Sequence, residues 1–277
     1  MSKGILMVAQ NSADDYVLQA CLCAMSIKAT NDISVSILTN DPIPDKYKDL
    51  FEHVINIPWT DSAEDENWKV QNRWKAYHVT PYNETIVMDT DMLVLQNIDS
   101  WWNFLSNYEM YFTSHVMDYR QNVINDTYYR KAFTSNKLPN VYVGIHYFKK
   151  CDFAHDFYGW LELVSNNWNL FYGHYVKENY PKRMSMDVSA AIVTKILDCE
   201  SQITNAKAAF PTFTHMKPHV QGWQTVTESW QERVGVYLKP NLDLIVGNHK
   251  QDGVFHYTEN NFVTNKIIKT YEEALCL

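Results

Sequence analysis

Along the first hundred residues the apolar positions come in short runs, and each run ends in a cluster of small polar side chains. Lys3 to Ala9, KGILMVA, reads as a buried strand that stops at Gln10, Asn11 and Ser12. A helix is predicted over 14–29. Ser12 with Asp15 three residues on forms its capping box, and Val17, Cys21, Ala24 and Ile27 line one face. Ile33 to Leu38 alternates Ile33, Val35 and Ile37 with serines, the pattern of a second strand, and gives way to Thr39, Asn40 and Asp41 before Pro42. Strand, helix, strand is a βαβ opening. Ligands of such sheets collect beyond the carboxyl ends of the strands, where these polar residues lie.

Further along, 69–79 reads as a helix stopped by Pro81, and Glu84 to Leu95, ETIVMDTDMLVL, reads as a buried strand. Strands are also expected over 109–115 and 138–148, the second with Gly144 in its middle, where a backbone or ligand must come close. Asp152 to Asn166 is an amphipathic helix through Phe153, Phe157, Trp160, Leu161 and Val164, and Met184 to Leu197 is another, with Asp187 near its start. Residues 117–139 are polar and Tyr-rich and show no period. The elements describe an α/β protein with a mixed, mainly parallel sheet. With no Gly/Ser-rich or Pro-rich linker in 277 residues, one domain spanning 1–277 is expected.

Composition narrows the picture. No apolar run approaches the ~20 residues of a membrane helix, and the N-terminal apolar segment is too short for a secretory signal, so a cytoplasmic protein is expected. Five cysteines without a C-x-x-C pair fit reduced thiols. Residues 1–100 carry the whole net charge of −8, whereas 101–277 are neutral and hold eight of the ten histidines. Such a chain is a poor nonspecific nucleic-acid binder, although its second part could carry a local basic face. No glycine occurs between Gly4 and Gly144, which excludes a P-loop and a dinucleotide-binding glycine fingerprint. It also ranks a sugar nucleotidyltransferase, which needs a glycine-rich loop, below other readings.

The candidate chemistry is Asp89-Thr90-Asp91. At strand spacing the two aspartates face one side while Thr90 points away, so both carboxylates can reach one hard divalent cation. Nineteen Asp in the chain make a bare D-x-D expected about once by chance, so its place at the end of an apolar strand carries the signal.

The run Trp74 to Trp102, WKAYHVTPYNETIVMDTDMLVLQNIDSWW, resembles the strand and D-x-D segment of GT-A fold glycosyltransferases, particularly the glycogenin and lipopolysaccharide galactosyltransferase group. The resemblance implies a Mn2+- or Mg2+-dependent transferase of a hexose from a nucleotide-diphosphate sugar, UDP-glucose or a relative, with retention of anomeric configuration. It implies Asp89, Asp91 and a histidine as metal ligands. His256, in Phe255-His-Tyr-Thr-Glu259, matches the family's His-Tyr order better than His215 or His219. Tyr16 matches a tyrosine that stacks on uracil, with Gln10, Asn11, Ser12, Thr39 and Asn40 around the nucleoside. Arg73 or Lys75 matches a basic residue at the diphosphate or donor sugar, and Thr90 lies within the motif itself. Gly144 lies in a strand where the family has Asn-small-Gly-Val; here Tyr142 stands at the Asn, with Asn140 two residues earlier. Asp187 matches a sugar-facing aspartate and is the catalytic candidate. The family's Lys-Pro-Trp after the His-Tyr segment is absent, leaving Lys217 or Lys250 to close over the diphosphate.

The acceptor is open. The stretch from His215 to Trp223 resembles small phage-encoded glycosyltransferases, some of which modify hydroxymethylated pyrimidines in DNA. That acceptor, met by Lys177, Lys182, Arg183 and Lys217, stands beside a glycan, protein or small-molecule hydroxyl. A catalytically silent nucleotide- or carbohydrate-binding module is the reading from another class, given 39 aromatic residues.

Overall fold

The apolar runs of the sequence become the strands of a central sheet because each buries side chains on both faces. The computed structural model describes residues 2–59, 72–124, 130–177, 184–205, 212–216 and 230–277. In order, the chain forms β1 (Lys3–Val8), α1 (Tyr16–Lys28), β2 (Val35–Leu38), β3 (His53–Ile55), α2 (Ala76–Val79), β4 (Glu84–Met88), β5 (Met92–Val94) and α3 (Asp99–Leu105). It continues through β6 (Met110–Thr113), β7 (Val116–Met117), α4 (Lys131–Asn136), β8 (Tyr142–Lys149), α5 (Asp152–Asn166), α6 (Trp168–Tyr175), α7 (Met186–Ile196) and α8 (Glu200–Ile203). After β9 (Phe213–His215) come β10 (Val236–Leu238), β11 (Leu244–Val246), β12 (His249–Lys250), β13 (Val254–His256) and a C-terminal helix, Asn265–Leu275.

Six strands form the central sheet in the order β3-β2-β1-β4-β8-β6. The first four are parallel, and only β8 runs against its neighbours, so the sheet is mixed and mainly parallel. Period-two alternation assigns its faces. Ile86 and Met88 of β4, with Ile145 and Tyr147 of β8, join the core under α1 and the C-terminal helix. Val87 and Phe148 join a second core under α5 and α7, and so does Val143, because an irregularity in the β6–β8 register breaks the alternation between it and Ile145. A second sheet, β5-β13-β9-β7, extends the first core, and β10-β11-β12 form a small antiparallel sheet. Among the described residues no helix is long and apolar enough to cross a membrane.

Three expectations are corrected. The first helix is buried all round, Gln19 and Ser26 included, because β5 packs on the side expected to be wet: Ser26 Oγ accepts the Val94 N–H at 2.9 Å. Its cap is Asp15, not Ser12, and accepts the Leu18 N–H at 2.9 Å, so the helix starts at Tyr16, two residues later than expected. The stretch 84–95 is not one strand. It leaves the central sheet after Met88 and enters the second sheet at Met92, so Asp89, Thr90 and Asp91 form the crossing between the sheets. Of the helix expected over 69–79, the described part is a 3-10 turn, Arg73–Lys75, followed by α2; 69–71 lie outside the described residues.

Candidate functional site

Two backbone hydrogen bonds hold the crossing in place. Asp89 N donates to Gly144 O at 2.9 Å, prolonging the β4–β8 pairing, and Tyr257 N donates to Asp91 O at 3.1 Å, starting the β5–β13 pairing. Thr90 is buried between them, its hydroxyl 3.4 Å from Gln19 Oε1 of α1. The two carboxylates are thereby aimed alike by a change of sheet, not by alternation within one strand. β13 delivers His256 opposite Met92, and its Nε2 lies 2.8 Å from Asp91 Oδ2. One ligand atom from each of Asp89, Asp91 and His256 falls within 4.8 Å of the others.

This donor set fits a small divalent cation: two hard carboxylate oxygens and one imidazole nitrogen, converging from one side and leaving further coordination positions to a ligand. The fit depends on Gly144. A Cβ there would stand 2.9 Å from Asp89 Oδ2, closer than real Cβ contacts come, so only glycine leaves the carboxylate its place. His215, paired with His256 in the β9–β13 register, lies with its ring 4.4 Å from that of His256 and stays outside the cluster. His219 and Lys217 lie outside the described residues.

Cations and carboxylates alternate around the cluster. Arg73 donates to Asp89 Oδ1. Burial works against its charge, but Asp89, then Asp91 and Asp187, hold its pKa above the ordinary value. Burial likewise pushes Asp91 upward, and His256 overrides it, leaving the carboxyl below its usual range. Tyr16, at the first turn of α1, is pushed up to about 12 by burial and then by Asp14 and Asp91, so its hydroxyl stays protonated beside the carboxylates. Lys75 turns away: its ammonium sits 5.3 Å from the Trp74 ring and 5.8 Å from that of Trp59.

The polar strand ends are largely occupied in holding one another. Asn11 Oδ1 accepts the Val17 N–H at 3.0 Å, and Asn11 N donates to Asp41 Oδ2 at 2.7 Å, tying the loops after β1 and β2. Asn40 pairs with the backbone of Ile57, and Thr39 Oγ1 accepts the Asp41 N–H. Their side chains frame the carboxyl ends of β1 and β2, where Gln10 is half-buried and Ser12 exposed. Lys250 pairs with Asp243 at 2.8 Å beside the small sheet.

Asp187, in the first turn of α7, has both oxygens engaged: Oδ1 accepts the Val143 N–H at 2.8 Å and Oδ2 accepts from Arg130 at 2.9 Å. Asn140 also serves Arg130, accepting from its Nε at 2.7 Å. Arg130 lies in the stretch that showed no period, and nothing local in the sequence marks it.

No model of a known protein family matches the chain, and no curated protein matches it. Solved structures do. The galactosyltransferase LgtC, in complex with donor and acceptor sugar analogs, matches with a TM-score of 0.54 over 99% of this chain and 96% of its own, at 13% identity. An active-site mutant of LgtC matches equally well, TM-score 0.54, over 99% and 95% at 13% identity. Mouse xyloside xylosyltransferase 1, in its apo form, gives 0.52 over 95% and 100% at 10% identity. The chain has the α/β GT-A fold of these glycosyltransferases over nearly its whole length.

Proposed function

We propose that the protein is a metal-dependent glycosyltransferase that takes its sugar from a nucleotide-diphosphate donor. One observation carries this reading: Asp89, Asp91 and His256 converge where the chain of a GT-A fold crosses from its central sheet to the second sheet. Mn2+ or Mg2+ held there supplies charge neutralisation for the diphosphate leaving group. The chain's own residues do the rest. Tyr16 offers an aromatic face to the base, UDP being the preferred donor nucleotide, and the strand ends from Gln10 to Ser12 and Thr39 to Asp41 wall the nucleoside. Arg73, in the field of both Asp89 and Asp187, reaches the diphosphate or the hexose. Asp187 presents its remaining lone pairs to sugar hydroxyls, which orients the donor.

The test is release of UDP from a panel of UDP-sugars by the purified protein with Mn2+, since slow donor hydrolysis needs no acceptor. Release in the presence of the metal, abolished by chelation, supports the reading. Binding of UDP without any turnover favours the second reading, a silent nucleotide-binding module, which the aromatic content and the intact strand-end loops also suit. The acceptor hydroxyl is either a hydroxymethylated pyrimidine of DNA or a glycan, protein or small molecule. Of the cations named for the DNA case only Lys177 is described, and it is exposed; Lys182, Arg183 and Lys217 lie outside the described residues.

A further inference from the structure

Arg130 is the least expected residue of the site. Its side chain is 1% exposed, and its guanidinium is clasped between two rings, 3.5 Å from the centre of Phe133 and 3.7 Å from that of Tyr142. Nε donates to Asn140 Oδ1 at 2.7 Å, one terminal nitrogen to Val141 O at 2.6 Å and the other to Asp187 Oδ2 at 2.9 Å. Three separate segments are joined: the start of α4, the approach to β8 and the first turn of α7.

Burying a guanidinium costs more than burying an apolar side chain of the same volume, and an ion pair seldom returns the difference. A methionine or leucine at 130 would pack α4 against β8 at lower cost. What neither could do is hold a carboxylate. The planar fork between two rings has one orientation, so its hydrogen bond fixes Asp187 Oδ2 while the Val143 N–H fixes Oδ1. Val143 precedes Gly144, whose Cα faces Asp89, so the position of Asp187 is referred to the same strand that seats the metal-binding carboxylate.

We infer that Arg130 is a positioning residue for the donor sugar: it sets the orientation of Asp187 and contributes nothing to nucleotide or metal affinity. This rests on the proposed function, because it needs a donor sugar to position.

The experiment compares wild type, Arg130→Lys, Asp187→Asn, the double variant and Phe133→Leu, with thermal melts to establish folding. Affinities for UDP and for a turned-over UDP-sugar, each with Mn2+, are measured alongside kcat for donor hydrolysis. UDP affinity stays within about threefold in every variant, while Arg130→Lys loses at least about tenfold in kcat. The double variant is no slower than Asp187→Asn, because both substitutions act through one carboxylate. Phe133→Leu, which loosens the clasp without touching the charge, shifts kcat the same way by a smaller factor and stands in if Arg130→Lys does not fold. Wild-type kcat in folded Arg130→Lys or, failing that variant, in Phe133→Leu would overturn the inference, as would losses that multiply in the double variant. A wild-type protein that binds no UDP with Mn2+ would instead overturn the proposed function, and the inference with it.

Discussion

Gly144 and Asp89 stand so close that the one explains the other: a side chain at 144 would put its Cβ 2.9 Å from Asp89 Oδ2 and displace the carboxylate. Because Asp89 is also held by Arg73 and by its own N–H on Gly144 O, it has little room to yield. Gly144→Ala is therefore expected to fold, since the glycine's φ is one other residues adopt, but to weaken Mn2+-dependent UDP binding by about tenfold, equivalent to ~1.4 kcal/mol. Calorimetry with and without Mn2+ checks it; an unchanged metal-dependent affinity would show that Asp89 is not a ligand in that pose.

His256 belongs to the cluster with Asp89 and Asp91, and His215 lies outside it although the two rings are side by side. His256→Ala is expected to abolish the metal dependence of UDP binding, whereas His215→Ala leaves metal titration nearly unchanged; both rings are buried in strands, so each substitution is expected to lower stability by about 1–3 kcal/mol. A Mn2+ titration that fails in His215→Ala alone would move the ligand to β9.

His146 makes stability depend on pH. Burial depresses its pKa to about 4, below the ordinary 6.5, and the neutral ring is stacked on Phe112 and bonded to Val143 O and Tyr158 Oη. The unfolded chain binds a proton there at pH values where the folded chain does not. Its contribution is thus fully present above about 6.5 and is lost as pH falls toward 4, on the order of 3 kcal/mol in all. Denaturant melts between pH 7 and pH 4 should show a steeper decline for wild type than for His146→Gln. Parallel curves would contradict it.

A DNA acceptor would leave an ionic signature. A DNA duplex would be bound with a log-log salt slope of about 0.9 per phosphate neutralised, and a small glycan with almost none. Anisotropy on duplexes with and without hydroxymethylpyrimidine, from low to physiological salt, separates them. Absence of binding at low salt, together with no transfer of labelled sugar to the modified duplex, would exclude the DNA acceptor.

How far the sequence foretells this site follows from the range of the interactions involved. Five of the six strands of the central sheet and the helix Asp152–Asn166 are legible because burial imposes a period that neighbours in the chain reveal, whereas the edge strand His53–Ile55 is largely exposed and shows none. The break at Asp89 to Asp91 is not, since an apolar run reads the same whether it stays in one sheet or crosses to another. Asn11 and Asn40 read as ligand-binding groups, and what the sequence does not show is that their side chains also close loops onto α1 and Ile57, a task set by partners 6 and 17 residues away. Arg130 is invisible for a related reason: its partners Asn140 and Asp187 are 10 and 57 residues distant, and no periodicity records such a meeting.

On the proposed function, Asp89 and Asp91 hold a cation that in turn holds the donor's diphosphate. Calorimetric titration of UDP in the presence of Mn2+ into wild type, Asp89→Asn and Asp91→Asn tests it most directly, because the amide keeps the side chain's shape and removes the charge the cation needs. Wild type is expected to bind in a metal-dependent way and each variant to lose on the order of a hundredfold or more, with thermal stability retained. Equal, metal-independent UDP affinity in all three proteins would contradict it.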